Sequence, residues 1–134
     1  MIDVDLFKQY NDARGHLVGD DCLRLVAGAL TAALNRGGDF VARYGGEEFV
    51  CLFSGMDADA LALVSEKIRA GIEALQIPHG DSPVSPWVTI SIGAACDQPM
   101  PETSPSLLIE AADLQLFQAK RLGRNRVCLA KAQG

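Results

Sequence analysis

Nowhere does this sequence carry an apolar run approaching the roughly 20 residues needed to cross a bilayer, so neither a membrane-spanning helix nor direct membrane contact is expected. Its opening, Met1-Ile2-Asp3-Val4-Asp5, has neither the basic flank nor the apolar stretch of a secretion signal. The expected compartment is the cytoplasm, for a free protein or for the cytoplasmic portion of a larger or membrane-anchored one. Cysteine is sparse and unpaired: Cys22, Cys51, Cys96 and Cys128 form no Cys-x-x-Cys, and neither His16 nor His79 lies at ligand spacing from them. A thiolate zinc site is therefore not expected. Three of the four stand in apolar, strand-like segments beside Val50, Ala95 and Val127, and the set reads as reduced core thiols. Positive charge is also short. Lys and Arg number 12 against 17 Asp and Glu, a net charge of −5, which argues against nucleic acid as a partner because such binding relies on a cationic excess.

What the sequence does have is apolar content. With 134 residues, 49% of them hydrophobic and 22% charged, it fits one domain with a real core and is not disordered. Basic residues, scarce overall, gather in one stretch at Lys120, Arg121, Arg124 and Arg126. That cluster suits a small polyphosphate in an otherwise acidic protein. Cations complementing the dipole of a helix end use the same residues.

Periodicity predicts strand, helix, hairpin, helix, strand, helix, strand. Ile2 and Val4 alternate with Asp3 and Asp5, as in a strand with one buried face, and Asp5 can cap the helix that follows. Leu23, Val26, Leu30 and Leu34 recur at helical spacing, which predicts a helix from about Gly19 to Asn35, closed by Gly37-Gly38. Residues 40–44 and 49–53 are strand-like runs separated by Gly-Gly-Glu-Glu, the pattern of a β-hairpin. Leu61, Val64, Ile68, Ile72 and Leu75 mark a second amphipathic helix. Trp87 to Cys96 alternates as a strand, a third helix runs from about Ser106 to Leu122 with Gly123 beyond its end, and a last strand spans Arg126 to Ala130. This order predicts an α+β fold with a ferredoxin-like core.

Two glycines beside two glutamates is more than a hairpin tip requires. Glycine lets a ligand approach the backbone closely, and adjacent carboxylates are hard oxygen ligands suited to Mg²⁺. A solvated acidic turn is the alternative. Asp3, ending the first strand, can stand near Glu47 if the hairpin pairs alongside, giving the few protein ligands that Mg²⁺ shares with nucleotide phosphates. Asn11, Asp12, Gly15, His16, Gly19 and Asp20 form a polar, glycine-punctuated stretch between helical segments. Its Asn and Asp carry the donors and acceptors needed to read a guanine edge, and a capped turn would use them equally well. His16 has no nucleophile as partner and reads as structural. Arg36 and Asp39, flanking Gly37-Gly38, can offer a bidentate donor and an acceptor to a second guanine-bearing ligand, or can end the helix.

These pieces in this order resemble the GGDEF-domain family of diguanylate cyclases, in the variant whose third signature residue is Glu. The resemblance rests on Asp3-Val4-Asp5-x-Phe7-Lys8-x-x-Asn11-Asp12, Gly15-His16-x-x-Gly19-Asp20, Arg43-Tyr44-Gly45-Gly46-Glu47-Glu48-Phe49, Val88 to Gly93, Ala112-Asp113 and Ala119-Lys120-x-x-Gly123-Arg124-Asn125, which together run through most of the chain. It implies a nucleotidyl-cyclase palm core, with a mostly antiparallel sheet, helices packed around it and the GGEEF hairpin. It also implies a single domain over 1–134 that lacks the family's usual first helix and the start of its first strand.

The function implied is condensation of two GTP into cyclic di-GMP with release of two pyrophosphates. Gly45, Gly46, Glu47 and Glu48 would form the catalytic turn. Asp3, the carbonyl of Val4 and Glu47 would hold Mg²⁺, with Mn²⁺ as a substitute, and Glu48 would be an auxiliary ligand or the base. Asn11 and Asp20 would read guanine, while the backbone near Phe7 and Lys8, with Lys120 and Arg124, would hold the triphosphate. Arg36 and Asp39 fall where the family places its product-inhibition site, with Lys67 a weaker third member. The resemblance further implies a homodimer and an upstream sensor or receiver domain outside this chain. Two rivals remain at this stage: a catalytically silent receptor for cyclic di-GMP, and a GTP-binding regulatory domain.

Overall fold

A computed structural model describes residues 1–131. Five strands and four helices follow in the order β1 (Ile2–Val4), α1 (Phe7–Arg14), α2 (His16–Ala33), β2 (Phe40–Gly45), β3 (Glu48–Leu52), α3 (Ala58–Glu73), β4 (Ile90–Ala94), α4 (Pro105–Arg121) and β5 (Val127–Leu129). The sheet order is β2-β3-β1-β4-β5. β1 runs antiparallel to both β3 and β4, β2 is antiparallel to β3, and β5 lies parallel to β4 beyond the ferredoxin-like four. The predicted α+β fold with a mostly antiparallel sheet is what forms.

Alternation along β1 sets the two layers. Ile2 and Val4 join Phe7, Tyr10, Val26, Leu30, Ile68, Ile72, Ile90 and Ile92 in the main core beneath α1, α2 and α3. Met1 packs with Ala112 and Leu116 of α4 in a second cluster, and Asp3, two residues on, shares that face. Glycine at 93 is what lets α4 settle on β4, because a Cβ there would stand 2.1 Å from Ala112 O and Leu116 N.

The first helical region differs from its prediction. Residues 11–20 are not a linker: Gly15, with φ of 87°, separates two helices, and α2 begins at His16 rather than near Gly19. Asp12, His16 and Asp20, which read as loop, are exposed on these helices, where no core contact marks them as helical. Asp5 does not cap α1, whose start is Leu6 in a left-handed conformation with no side-chain cap. β4 and β5 are shorter than their apolar patterns, and Trp87 joins Pro78 only in an isolated bridge. Cys96 lies beyond β4 and is exposed, so the core-thiol expectation fails there, while Cys22 is buried and Cys51 and Cys128 are half-buried.

Candidate functional site

The hairpin turn is tighter than its sequence suggests. Gly45 and Glu48 belong to the strands, leaving Gly46 and Glu47 at the tip, with a bulge between Arg43 and Gly45 and the Arg43 Nε donating to Gly46 O at 2.7 Å. Gly46 has φ of 47°, which a glycine adopts without strain. Gly45 has no such conformational reason, and a Cβ there would meet nothing within 4 Å. The fold leaves its bare backbone open to approach from outside.

Pairing of β1 with β3 then assembles the acids. Asp3 sits opposite Glu48 in register, and Val4 N–H donates to Glu47 O at 3.2 Å, tying the tip to the end of β1. Asp3 is buried, and its Oδ2 accepts from Lys120 Nζ of α4 at 2.7 Å. Burial pushes the Asp3 carboxyl up to about 6, with Lys120 pulling the other way and the charges of Glu47 and Glu48 adding to the rise. Burial, with two glutamates adding to it, thus outweighs the ammonium that faces Asp3.

A hollow of about 180 Å³ opens at this point and gathers the expected metal-side residues Asp3, Val4 and Glu47 with the expected phosphate-side residues Phe7, Lys8, Lys120 and Arg124. Glu48 borders it through its pairing with Asp3 and does not line it. Among the described residues no group of three or more His, Cys, Asp or Glu is arranged as a metal cage. A cation bound here would find the carboxylates of Asp3 and Glu47 and the Val4 carbonyl, since Asp5, which also lines the hollow, already accepts three hydrogen bonds. That set fits Mg²⁺, which keeps several waters or substrate oxygens, and a bound cation would offset the burial that disfavours the Asp3 carboxylate.

Neither Asn11 nor Asp20 lines this hollow. Asn11 lies over Gly19: a Cβ on that glycine would come within 1.7 Å of Asn11 Oδ1. Gly19 therefore makes the seat that Asn11 occupies. Asn11 Oδ1 is buried with no hydrogen-bond partner, an acceptor left for a donor. Asp20, exposed on α2, opens a second hollow of about 400 Å³ that runs between α2 and the hairpin past Leu23, Arg24, Arg43 and Phe49.

Arg36 and Asp39 share the turn before β2, at the opposite end of the hairpin from Glu47. Asp39 N–H donates to Arg36 O at 3.2 Å, and the exposed Arg36 donates through Nη2 to Ser54 O at 2.6 Å. Asp39 Oδ1 is buried without a partner. Lys67 is exposed on α3, and His16 is the exposed first residue of α2.

Two residues near the site escaped sequence reasoning. Asp5 is buried and accepts from Thr89 Oγ1 at 2.8 Å, Ser91 Oγ at 2.6 Å and Asn125 N–H at 3.0 Å. His79 is buried too. Its Nδ1 accepts from Asp81 N–H at 3.2 Å, which leaves Nε2 to donate to Leu6 O at 3.0 Å and so holds the left-handed residue at the start of α1. No local pattern announces either role, since their partners are remote in sequence.

The profile described as "Diguanylate cyclase, GGDEF domain" matches residues 1–126. "Diguanylate cyclase A" of Treponema denticola is 40% identical over 131 residues, covering 98% of this chain and 34% of its own length. "Diguanylate cyclase DgcP" of Pseudomonas aeruginosa is 38% identical over 97% of this chain and 19% of its own. The chain thus spans about a third or less of these curated relatives. Among solved structures, the GGDEF domain of DgcB from Caulobacter crescentus in complex with c-di-GMP superposes with a TM-score of 0.83 at 34% identity, over 96% of this chain and 74% of that one. The active GGEEF domain of a diguanylate cyclase from Vibrio cholerae gives 0.82 at 26% identity, over 98% and 81%.

Proposed function

This chain belongs to the GGDEF family of diguanylate cyclase domains, and on that premise we propose that it condenses two molecules of GTP into cyclic di-GMP, releasing two pyrophosphates. The observation that carries the proposal is the small hollow. In it the buried carboxyl of Asp3 and that of Glu47 meet Lys120 and Arg124, at a hairpin turn whose Gly45 is required neither by a positive φ nor by close packing.

Each residue then has a task. Lys120 and Arg124, with the backbone of Phe7 and Lys8, bind the triphosphate; an Arg fork and an ammonium suit its oxygens. Asn11 and Asp20 receive the guanine edge, Asn11 Oδ1 accepting the N–H it otherwise lacks. Asp3, the Val4 carbonyl and Glu47 would hold Mg²⁺, or Mn²⁺ in its place. When bound, the ion neutralises charge on the attacking and leaving oxygens. Glu48 supports Asp3 as an auxiliary ligand or accepts the proton of the 3′-hydroxyl. One domain presents one GTP, so the reaction needs two copies face to face, each 3′-hydroxyl attacking the α-phosphate held by the other. Arg36 and Asp39 bind the product and restrain synthesis, the unpartnered Asp39 Oδ1 serving as acceptor. Dimerisation is the step on which a sensor domain elsewhere in a longer protein would act.

The test is incubation with GTP and Mg²⁺, using protein dimerised by a fused coiled coil, followed by chromatography of the products. Cyclic di-GMP should form, and Glu47→Ala should abolish it. No product from the dimerised protein overturns the proposal.

A further inference from the structure

Beyond the end of α4, Gly123, Arg124 and Asn125 have φ of 125°, 65° and 47° in succession. Glycine takes such values freely and asparagine tolerates them, but an arginine there carries a steric cost. Strain of this kind persists only where surrounding contacts over-determine it. Here the contacts are unusually complete. Arg124 N–H donates to Ala119 O at 3.0 Å, and Asn125 N–H donates to the buried carboxylate of Asp5 at 3.0 Å. The Asn125 side chain is gripped from the other side by α3: its Nδ2 donates to Glu73 Oε2, and its Oδ1 accepts from Arg69 Nη1 at 2.7 Å. Arg69 is itself fixed by a two-pronged bond to Glu66, with Nε and Nη2 on its two oxygens at 2.9 and 2.6 Å.

Of these residues only Arg124 and Asp5 line the small hollow; Asn125, Glu73 and Arg69 stand behind it. We infer that Asn125 is a positioning residue, through which Glu73 and Arg69 of α3 hold the left-handed turn that presents the Arg124 guanidinium to a polyphosphate. A glycine at 124 would close the same turn without strain, so the cost of arginine is justified by where its side chain goes. The inference rests on the reading of the hollow as a phosphate site. It adds that the phosphate contact is set from α3, a helix that contributes nothing to the hollow.

Inorganic triphosphate in the presence of Mg²⁺, titrated calorimetrically, tests it without requiring turnover. Arg124→Ala should weaken binding on the order of tenfold, the effect of losing a charge-assisted hydrogen bond. Glu73→Ala, at the half-buried end of α3, should produce a similar loss, with the fold checked by thermal melting. Glu73→Gln should restore affinity, because an amide oxygen still accepts from Asn125 Nδ2. The double variant Glu73→Ala/Arg124→Ala should bind no more weakly than Arg124→Ala. Unchanged affinity in Glu73→Ala, or losses that multiply in the double variant, would overturn the inference. A wild-type protein that fails to bind triphosphate overturns the inference and the phosphate-site reading together. If triphosphate binds as described but no cyclic di-GMP is made, the proposed reaction fails while the clamp stands.

Discussion

Lys120 reaches across 117 positions of the chain to Asp3, its Nζ donating to Oδ2 at 2.7 Å. The pairing follows from the two layers of the fold: Asp3 lies on the α4 face of β1, and Lys120 on the turn of α4 that passes over it. A buried carboxylate with one cationic partner would ordinarily sit low. Asp3 is instead raised, because burial and the nearby Glu47 and Glu48 outweigh what Lys120 supplies. The site is strained toward positive charge.

That excess has a measurable sign. The Asp3 carboxyl is shifted from 3.8 to about 6, so the native state prefers it protonated. Its penalty is absent below pH 4, develops as pH rises from about 4 to 6, and is complete above. Relative to Asp3→Asn, metal-free wild type should lose up to about 3 kcal/mol of stability across that window. Urea denaturation at pH 4 and pH 7 measures it, and Mg²⁺ at pH 7 should return much of the loss. A difference that stays flat with pH would show that Asp3 carries no such burden.

Glycine at 19 and glycine at 93 predict different outcomes for the same substitution. In Gly19→Ala the new methyl meets a side chain, Asn11 Oδ1 at 1.7 Å, whereas in Gly93→Ala it meets the α4 backbone at 2.1 Å. A side chain can swing away, so Gly19→Ala should cost about 1–3 kcal/mol and weaken guanosine binding more than inorganic triphosphate binding. The α4 backbone cannot yield without leaving the sheet, and Gly93→Ala should fail to give soluble folded protein. Equal losses of guanosine and triphosphate in Gly19→Ala would count against Asn11 as the guanine contact.

Thiol labelling separates the cysteines. Cys96 is exposed, whereas burial pushes Cys22 and Cys51 up to about 11, leaving almost no thiolate at neutral pH. A thiol reagent at pH 7.5 should modify Cys96 within minutes and reach Cys22 and Cys51 only on unfolding. Early labelling of Cys22, identified by peptide mass, would contradict the packing of α2 described above.

Which parts of this were legible in the sequence depended on how far apart the partners lie. The hairpin was readable because its strands and its glycines are contiguous, and the α+β class followed from the alternation of helices with strands. That the break between the first two helices is confined to Gly15 was not, since α1 buries only Phe7 and Tyr10 and a helix of 8 residues gives too short a period to register. Asp5 looked like a helix cap because its neighbours are polar and a helix follows. Its true partners, Thr89, Ser91 and Asn125, lie 84, 86 and 120 residues away. Asp3, Glu47, Lys120 and Arg124, which share one hollow, are legible because motifs carry them, while Asn125's grip on α3 depends on α3 and the end of α4 lying side by side.

Arg36 offers a substitution whose effect on function is separable from its effect on the fold. Its guanidinium is exposed and makes a hydrogen bond to Ser54 O at 2.6 Å, so Arg36→Ala should cost no more than about 1 kcal/mol, the net worth of one such bond at a surface. The turn stays closed by the Asp39 N–H to Arg36 O bond, which needs no side chain. The small hollow lined by Glu47, at the other end of the hairpin, is untouched. If Arg36 and Asp39 bind the product, Arg36→Ala should leave the initial rate of cyclic di-GMP synthesis within about twofold while raising the concentration needed for half-inhibition by about tenfold or more, the equivalent of losing one bidentate charge-assisted contact. Progress curves with added cyclic di-GMP separate the two effects. An unchanged inhibition curve would remove Arg36 from product control, and a collapse of the initial rate would mean that the turn before β2 supports the hairpin more than its position suggests.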